Sequence, residues 1–100
     1  MKITIQKTDD QLIARLEGEL DTLAATQAQN DLKPLFDARD SSLKLDCTDL
    51  KYISSSGLRL FLSLLKAAKA NGSQLALTGL NSDITGVFKL TGFDTLFTII

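Results

Sequence analysis

The chain has 100 residues, of which 44% are hydrophobic, and its formal net charge is −1 at pH 7. This size and composition predict a single domain, residues 1–100, with one hydrophobic core. Its scattered lysines and arginines argue against a nucleic-acid partner, and without a membrane-length apolar run or a secretory signal we expect a cytoplasmic protein with no direct membrane insertion.

Hydrophobic periodicity predicts eight elements, two strands followed by alternating helices and strands. In chain order they are strands at residues 2–6 and 11–17, a helix from Asp21 or Thr22 to about Phe36, a strand at 43–47, a helix at 57–70, a strand at 74–78, a helix from Asn81 or Ser82 to Gly92, and a strand at 96–100. Pro34 should bend or end the first helix. This order predicts an α/β fold, with a mixed, mostly parallel sheet of about four to five strands packed with three main helices.

The apolar sides of two predicted helices can be assigned from their spacing. For the first helix the apolar residues are Leu23, Ala24, Ala28, Leu32, Leu35 and Phe36, and for the third they are Ile84, Val87, Phe88 and Leu90. The second helix carries a wider apolar arc than one sheet face requires, because Leu60 and Leu64 extend it. One explanation is that this helix lies between the sheet and a neighbouring helix. A second, compatible with the first, is that Leu60 and Leu64 are partly exposed and bind a partner protein.

The chain contains no histidine, which removes the common catalytic relays from consideration. A Ser-His-Asp or Cys-His relay needs an imidazole, and with Cys47 as the single cysteine a transition-metal site would consist almost wholly of carboxylates. We therefore expect no enzyme activity, no cofactor and no metal site. Cys47 is interpreted as a core residue, and Asp46 and Asp49 as the solvated end of a strand.

Three consecutive serines, Ser54, Ser55 and Ser56, lie where the second helix begins. A serine at this position can cap a helix, and the free amides and dipole of the first turn favour a phosphate. Phosphorylation would add about two negative charges. The sequence therefore predicts a phosphorylation switch at this corner.

Three segments, residues 18–21, 45–58 and 90–93, occur in order with helices and strands between them. Together they resemble the STAS domain of bacterial anti-sigma factor antagonists, over essentially the whole chain. The resemblance implies a STAS-like fold and a protein that binds an anti-sigma factor serine kinase, so that a sigma factor is released. Phosphorylation of one serine by the kinase breaks that complex, and a separate PP2C-like phosphatase restores it.

In the family the second helix begins with Asp-Ser-[Ser/Thr]-Gly-Leu, so the resemblance implies phosphorylation at Ser55, with Ser56 and Ser54 as alternates. Ser54 stands where the family has its aspartate, and this departure removes a charge beside the acceptor. Asp21 matches the aspartate of the family's Gly-x-Leu-Asp loop and is also expected to cap the first helix. The predicted partner-binding residues are Asp21, Ser54, Ser55, Ser56, Gly57, Arg59, Leu60 and Leu64.

Two other functions remain open from the sequence. The first is a STAS-type regulatory subunit or partner of a membrane transporter, which would not depend on phosphorylation. The second is an enzyme with a hydroxyl nucleophile, which the missing histidine disfavours.

Overall fold

A computed structural model describes every residue of the chain, Met1–Ile100. Its strands are β1 (Lys2–Lys7), β2 (Gln11–Leu20), β3 (Ser42–Ile53), β4 (Gln74–Thr78) and β5 (Thr98–Ile99). Its helices are α1 (Thr22–Asp31), α2 (Lys33–Asp37), α3 (Ser55–Ala70) and α4 (Ser82–Thr91), and a 3₁₀ turn covers Phe93–Thr95.

The five strands form one sheet in the order β1-β2-β3-β4-β5. β1 and β2 form the predicted antiparallel hairpin, and β2, β3, β4 and β5 run parallel to one another. Parallel neighbours require a crossover connection, and here helices supply all three. The predicted α/β fold with a mixed, mostly parallel sheet is therefore confirmed.

One face of the sheet carries the hydrophobic core. Leu45 of β3 pairs with Ala14 on one side and with Leu77 on the other, and all three side chains are fully buried. Lys44, the preceding residue of β3, points to the opposite face and is only partly buried. Cys47 lies on the core face, where burial raises the pKa of its thiol to about 12. Its interpretation as a core residue is confirmed.

α3 packs against β3 and β4 of the sheet and against the helices α1 and α2. Leu60 is only 6% exposed and Leu64 is fully buried. The prediction that these two leucines are partly exposed and bind a partner is therefore wrong. The wide apolar arc of α3 contacts both the sheet and the neighbouring helices of the same domain, where α1 contributes the buried small residues Ala25 and Ala28.

β3 is longer and β5 is shorter than the sequence predicted. β3 continues past Cys47 to Ile53, because β2 pairs with it as far as Leu20 through two register shifts. The last strand is reduced to Thr98–Ile99, because the chain first forms its 3₁₀ turn after Gly92, which ends α4 in a left-handed conformation. The three serines Ser54, Ser55 and Ser56, here called the serine corner, directly follow the end of the long β2–β3 pair.

The first predicted helix is divided into α1 and α2. Pro34 occupies the first turn of α2, where its missing N–H costs no helical hydrogen bond, and the break falls just before it, at Leu32. The predicted bend is present. Leu23 and Leu90, however, are 84% and 90% exposed, so their placement on apolar faces is wrong. Each lies in a terminal turn, away from the packed middle of its helix.

Candidate functional site

Two helices begin side by side at the end of the β2–β3 pair. Leu20 and Ile53 are register partners at the ends of these parallel strands. Asp21 follows Leu20 and caps α1, accepting a hydrogen bond from the Ala24 N–H at 2.8 Å. Ser54 follows Ile53 and caps α3. The register therefore brings the Asp21 loop and the serine corner to one edge of the sheet.

Hydrogen bonds of its side-chain hydroxyl and of its backbone N–H hold Ser54 in place. Its Oγ accepts from the Gly57 N–H at 3.1 Å and donates to the carbonyl oxygen of Leu20 at 3.0 Å. Its backbone N–H donates to the same carbonyl at 2.9 Å. The residue is only 8% exposed. This corrects the assignment of Ser54 as an alternate phosphate acceptor and as a partner contact, because its hydroxyl is enclosed and fully used.

Ser55 is the first residue of α3 and is exposed. Its hydroxyl makes no hydrogen bond within the protein, unlike those of Ser54 and Ser56. At this position the backbone N–H groups of Ser55 and Ser56 precede the helical hydrogen-bond ladder and have no partner within it. Ser55 thus combines an accessible oxygen with the positive end of a sixteen-residue helix.

Ser56 is partly buried, and its Oγ accepts a hydrogen bond from Arg59 Nη2 at 3.2 Å. Both residues line a groove of about 370 Å³ between α1 and α3. The other residues lining this groove are Thr22, Ala25, Thr26, Gln29, Leu60 and Ser63. Arg59 is the one charged side chain among them, and it is exposed.

Gly57 is needed for the close approach of α3 to the strand ends. A Cβ at this position would lie 2.8 Å from Cγ1 of Ile53 and 2.9 Å from Cγ of Leu20, distances that real Cβ contacts do not reach. The residue is buried. Gly57 therefore acts in packing, which corrects its assignment as a partner contact.

Comparison with known proteins now gives the family. A sequence profile of the STAS domain matches residues 2–100. The chain belongs to the STAS domain family.

Two relatives cover nearly the whole STAS domain. The BtrV protein of Bordetella bronchiseptica is 34% identical over 99 residues, which cover 99% of this chain and 85% of BtrV. The anti-sigma-B factor antagonist of Bacillus subtilis is 24% identical over 99 residues, which cover 99% of this chain and 90% of that protein.

The fold of the STAS domain is also that of SpoIIAA, an anti-sigma factor antagonist and Bacillus cell fate determinant. The structure of its unphosphorylated form has a TM-score of 0.74 and 18% identity, covering 99% of this chain and 87% of that one. The structure of its phosphorylated form has a TM-score of 0.74 and 20% identity, covering 99% of this chain and 91% of that one. At these identities the likeness concerns the fold.

The two carboxylates of β3, Asp46 and Asp49, each have a different hydrogen-bond partner. Asp46 accepts from the Thr48 hydroxyl at 2.6 Å, and this hydrogen bond holds the pKa of Asp46 below its usual value. Asp49 binds Arg15, and that hydrogen bond, together with the charges of Asp49 and Glu17, raises the pKa of the guanidinium. The two carboxylates are engaged in structural contacts at different positions along β3.

The STAS domain also exposes apolar side chains that the sequence analysis missed. Leu23 follows the Asp21 cap and lines a groove of about 700 Å³ together with Asp21 and Lys51. Tyr52, near the end of β3, is 49% exposed. The exposure of Leu23 could not be predicted from the hydrophobic pattern, because its spacing fits the buried face of a helix.

None of the helices combines the length and the apolar character required to cross a membrane. No group of three or more cysteine, aspartate or glutamate side chains lies close enough together to hold a metal ion.

Proposed function

We propose that this STAS domain is an anti-sigma factor antagonist that binds an anti-sigma factor serine kinase and is released from it by phosphorylation of Ser55. The proposal rests on one observation: of the three corner serines, Ser55 alone has a hydroxyl that is exposed and free of hydrogen bonds. The names of the relatives support it, and so does the existence of SpoIIAA in unphosphorylated and phosphorylated forms. The domain then acts by binding, without catalysing a reaction.

In the phosphorylation step the kinase transfers the γ-phosphoryl group of ATP to Ser55. A bond forms between Oγ and phosphorus, the hydroxyl proton is lost, and ADP leaves. A PP2C-like phosphatase would return Ser55 to the free hydroxyl by hydrolysis. These enzymes supply the chemistry, and the domain supplies one accessible oxygen at the start of α3.

Phosphate on Ser55 acts on the complex and leaves the fold intact. The free amides at the start of α3 and the helix dipole favour an anion there. In a complex the same group, with about two negative charges, would have to lose its water against the partner's surface. The kinase therefore binds the unmodified form more tightly.

The surface around Ser55 offers a mixed contact area for that kinase. Asp21 and Arg59 supply opposite charges, and Leu23 supplies an apolar side chain that is 84% exposed. Asp21 and Leu23 lie at the start of α1, Arg59 lies one turn into α3, and the two helices begin at neighbouring strand ends. A partner that covers Ser55 would contact both helices at once.

The test compares Ser55→Ala and Ser55→Asp for binding to purified anti-sigma factor serine kinases from the genome that encodes this chain. We expect Ser55→Ala to bind as the unmodified protein does, and Ser55→Asp to bind about tenfold more weakly, a loss of about 1.4 kcal/mol. Mass spectrometry after incubation with kinase and ATP should locate the phosphate on Ser55.

Ser56→Ala is the matched control, because it removes a neighbouring hydroxyl and leaves the proposed acceptor in place. It should still be phosphorylated. Equal affinity of Ser55→Ala and Ser55→Asp, or a phosphate located on another residue, would contradict the proposal. A partner bound equally well by all three variants would favour a role that does not depend on phosphorylation.

A further inference from the structure

Arg59 stands one helical turn after Ser55 and is already directed toward the start of α3. Residues four apart on a helix are neighbours on its surface, with Cβ atoms about 5–6 Å apart. Ser55 and Arg59 are four apart, and Ser56 and Arg59 are three apart. The hydrogen bond from Arg59 Nη2 to Ser56 Oγ shows that the guanidinium lies over the first turn.

The present partner of Arg59 is a weak one. A neutral hydroxyl at 3.2 Å accepts one hydrogen bond from a group that has five N–H donors and a permanent charge. No carboxylate is within ion-pair distance of Arg59, whereas Arg15 and Lys33 both have such partners. The guanidinium therefore carries unused charge and unused donors beside the proposed acceptor.

We propose that Arg59 is the intramolecular ligand of the phosphate on Ser55, and that its guanidinium leaves Ser56 to bind the phosphate oxygens. This inference rests on the proposed phosphorylation of Ser55. Planar guanidinium groups bind phosphate through two parallel hydrogen bonds, which are stronger than a bond to a neutral hydroxyl. The exchange needs only a side-chain rotation, since Arg59 is exposed.

The exchange would change the groove between α1 and α3. In the unmodified protein, Arg59 bonded to Ser56 is the one charged group lining that groove. When it turns to the phosphate, the groove loses this charge and Ser56 regains a free hydroxyl. Phosphorylation would then alter two adjoining parts of the contact surface, the acceptor position and the groove wall.

The experiment places phosphoserine at position 55 during translation, by suppression of a stop codon, and needs no kinase. The second pKa of the phosphate is measured by ³¹P nuclear magnetic resonance in the otherwise unchanged protein, in Arg59→Gln and in Arg59→Lys. A nearby cation favours the dianion and lowers this pKa from its ordinary value of about 6. We expect Arg59→Gln to raise it by about half a unit, and Arg59→Lys to give a smaller rise.

Lys66→Gln is the matched control. Lys66 is an exposed cation on α3, eleven residues after Ser55 and therefore on the same side of the helix. It lies about 16 Å farther along the axis, beyond the distance over which charges act in physiological salt. All other charged residues of the chain, including Asp21 and Lys51, are the same in every variant.

The outcomes separate this inference from the proposed function. The same phosphate pKa in the unchanged protein and in Arg59→Gln, or an equal rise in Lys66→Gln, would overturn the role of Arg59. Either result would leave the kinase-release experiment unaffected. Circular dichroism of each variant establishes that it is folded before its pKa is compared.

Discussion

The hydroxyl of Ser54 donates to the carbonyl oxygen of Leu20 across 3.0 Å and so ties the start of α3 to the end of β2. The two residues are 34 positions apart in the chain. The Ser54 N–H donates to the same carbonyl at 2.9 Å. Because Leu20 is followed by the Asp21 cap of α1, these two bonds together hold the two helix starts in place relative to each other.

Ser54→Ala should destabilise the domain by about 1–2 kcal/mol, because it removes a helix cap and one of the two donors to the Leu20 carbonyl. The free energy of unfolding can be measured by urea denaturation. Ser55→Ala is the control: its hydroxyl is exposed and unbonded, so the change should stay within about 0.5 kcal/mol. Equal losses in the two variants would contradict the distinction drawn between these serines.

Gly57→Ala should destabilise the domain although alanine is the better helix former. The new Cβ would meet Ile53 and Leu20 at less than 3.0 Å, and such overpacking costs about 1–3 kcal/mol, more than the helix preference for alanine returns. Gly86→Ala in α4 is the matched control, since no atom lies within 4 Å of its Cβ. It should stabilise by about 0.5–1 kcal/mol. Thermal unfolding of both variants should show shifts of opposite sign.

Leu64→Ala should cost about 2–5 kcal/mol of unfolding free energy, because Leu64 is fully buried between the sheet and the neighbouring helices. Leu23→Ala removes the same side chain from a position that is 84% exposed and should change stability by less than about 0.5 kcal/mol. Denaturation measures both values. If Leu64→Ala were as stable as Leu23→Ala, the buried position of Leu64 would be wrong.

The free energy of unfolding should fall as the pH rises from 9 to 12, in part because of Cys47. Burial raises the pKa of the folded thiol to about 12 from the ordinary 9.0, so the unfolded chain loses this proton first. The stabilisation is complete below pH 9 and disappears as the pH approaches 12, with a slope of up to about 1.4 kcal/mol per pH unit.

Cys47→Ala should show a flatter dependence over the same range, whatever its stability at neutral pH. Lysines and Tyr52 are present in both proteins, so the difference between the two slopes isolates the thiol. Parallel curves would mean that Cys47 ionises freely in the folded protein, and hence that it is not enclosed.

The features that could be predicted from the sequence are those determined by neighbouring residues in the chain. Alternating apolar residues placed the strands, and the position of the serines before an amphipathic stretch placed the start of α3. The local sequence could not predict that the Ser54 hydroxyl is hydrogen-bonded and the Ser55 hydroxyl is free. The acceptor for Ser54 is the carbonyl oxygen of Leu20, which only the fold brings close to it from β2.

The error over Leu60 and Leu64 has a similar cause. A wide apolar arc shows that a helix is covered on two sides, but its width does not tell whether the second cover is a helix of the same chain or another protein. Here α1 and α2 provide it. Leu23 shows the converse, since a leucine at core spacing in a terminal turn lies in solvent.

The division of the three corner serines has a consequence for the kinase that we propose acts on Ser55. The Ser54 hydroxyl is enclosed and the Ser56 hydroxyl accepts a hydrogen bond from Arg59, so only the Ser55 hydroxyl is both exposed and free of hydrogen bonds. A kinase acting here would not need to read the flanking sequence in order to choose its target. Selectivity could reside in the folded substrate, and it would be lost on unfolding, when all three serines become equivalent.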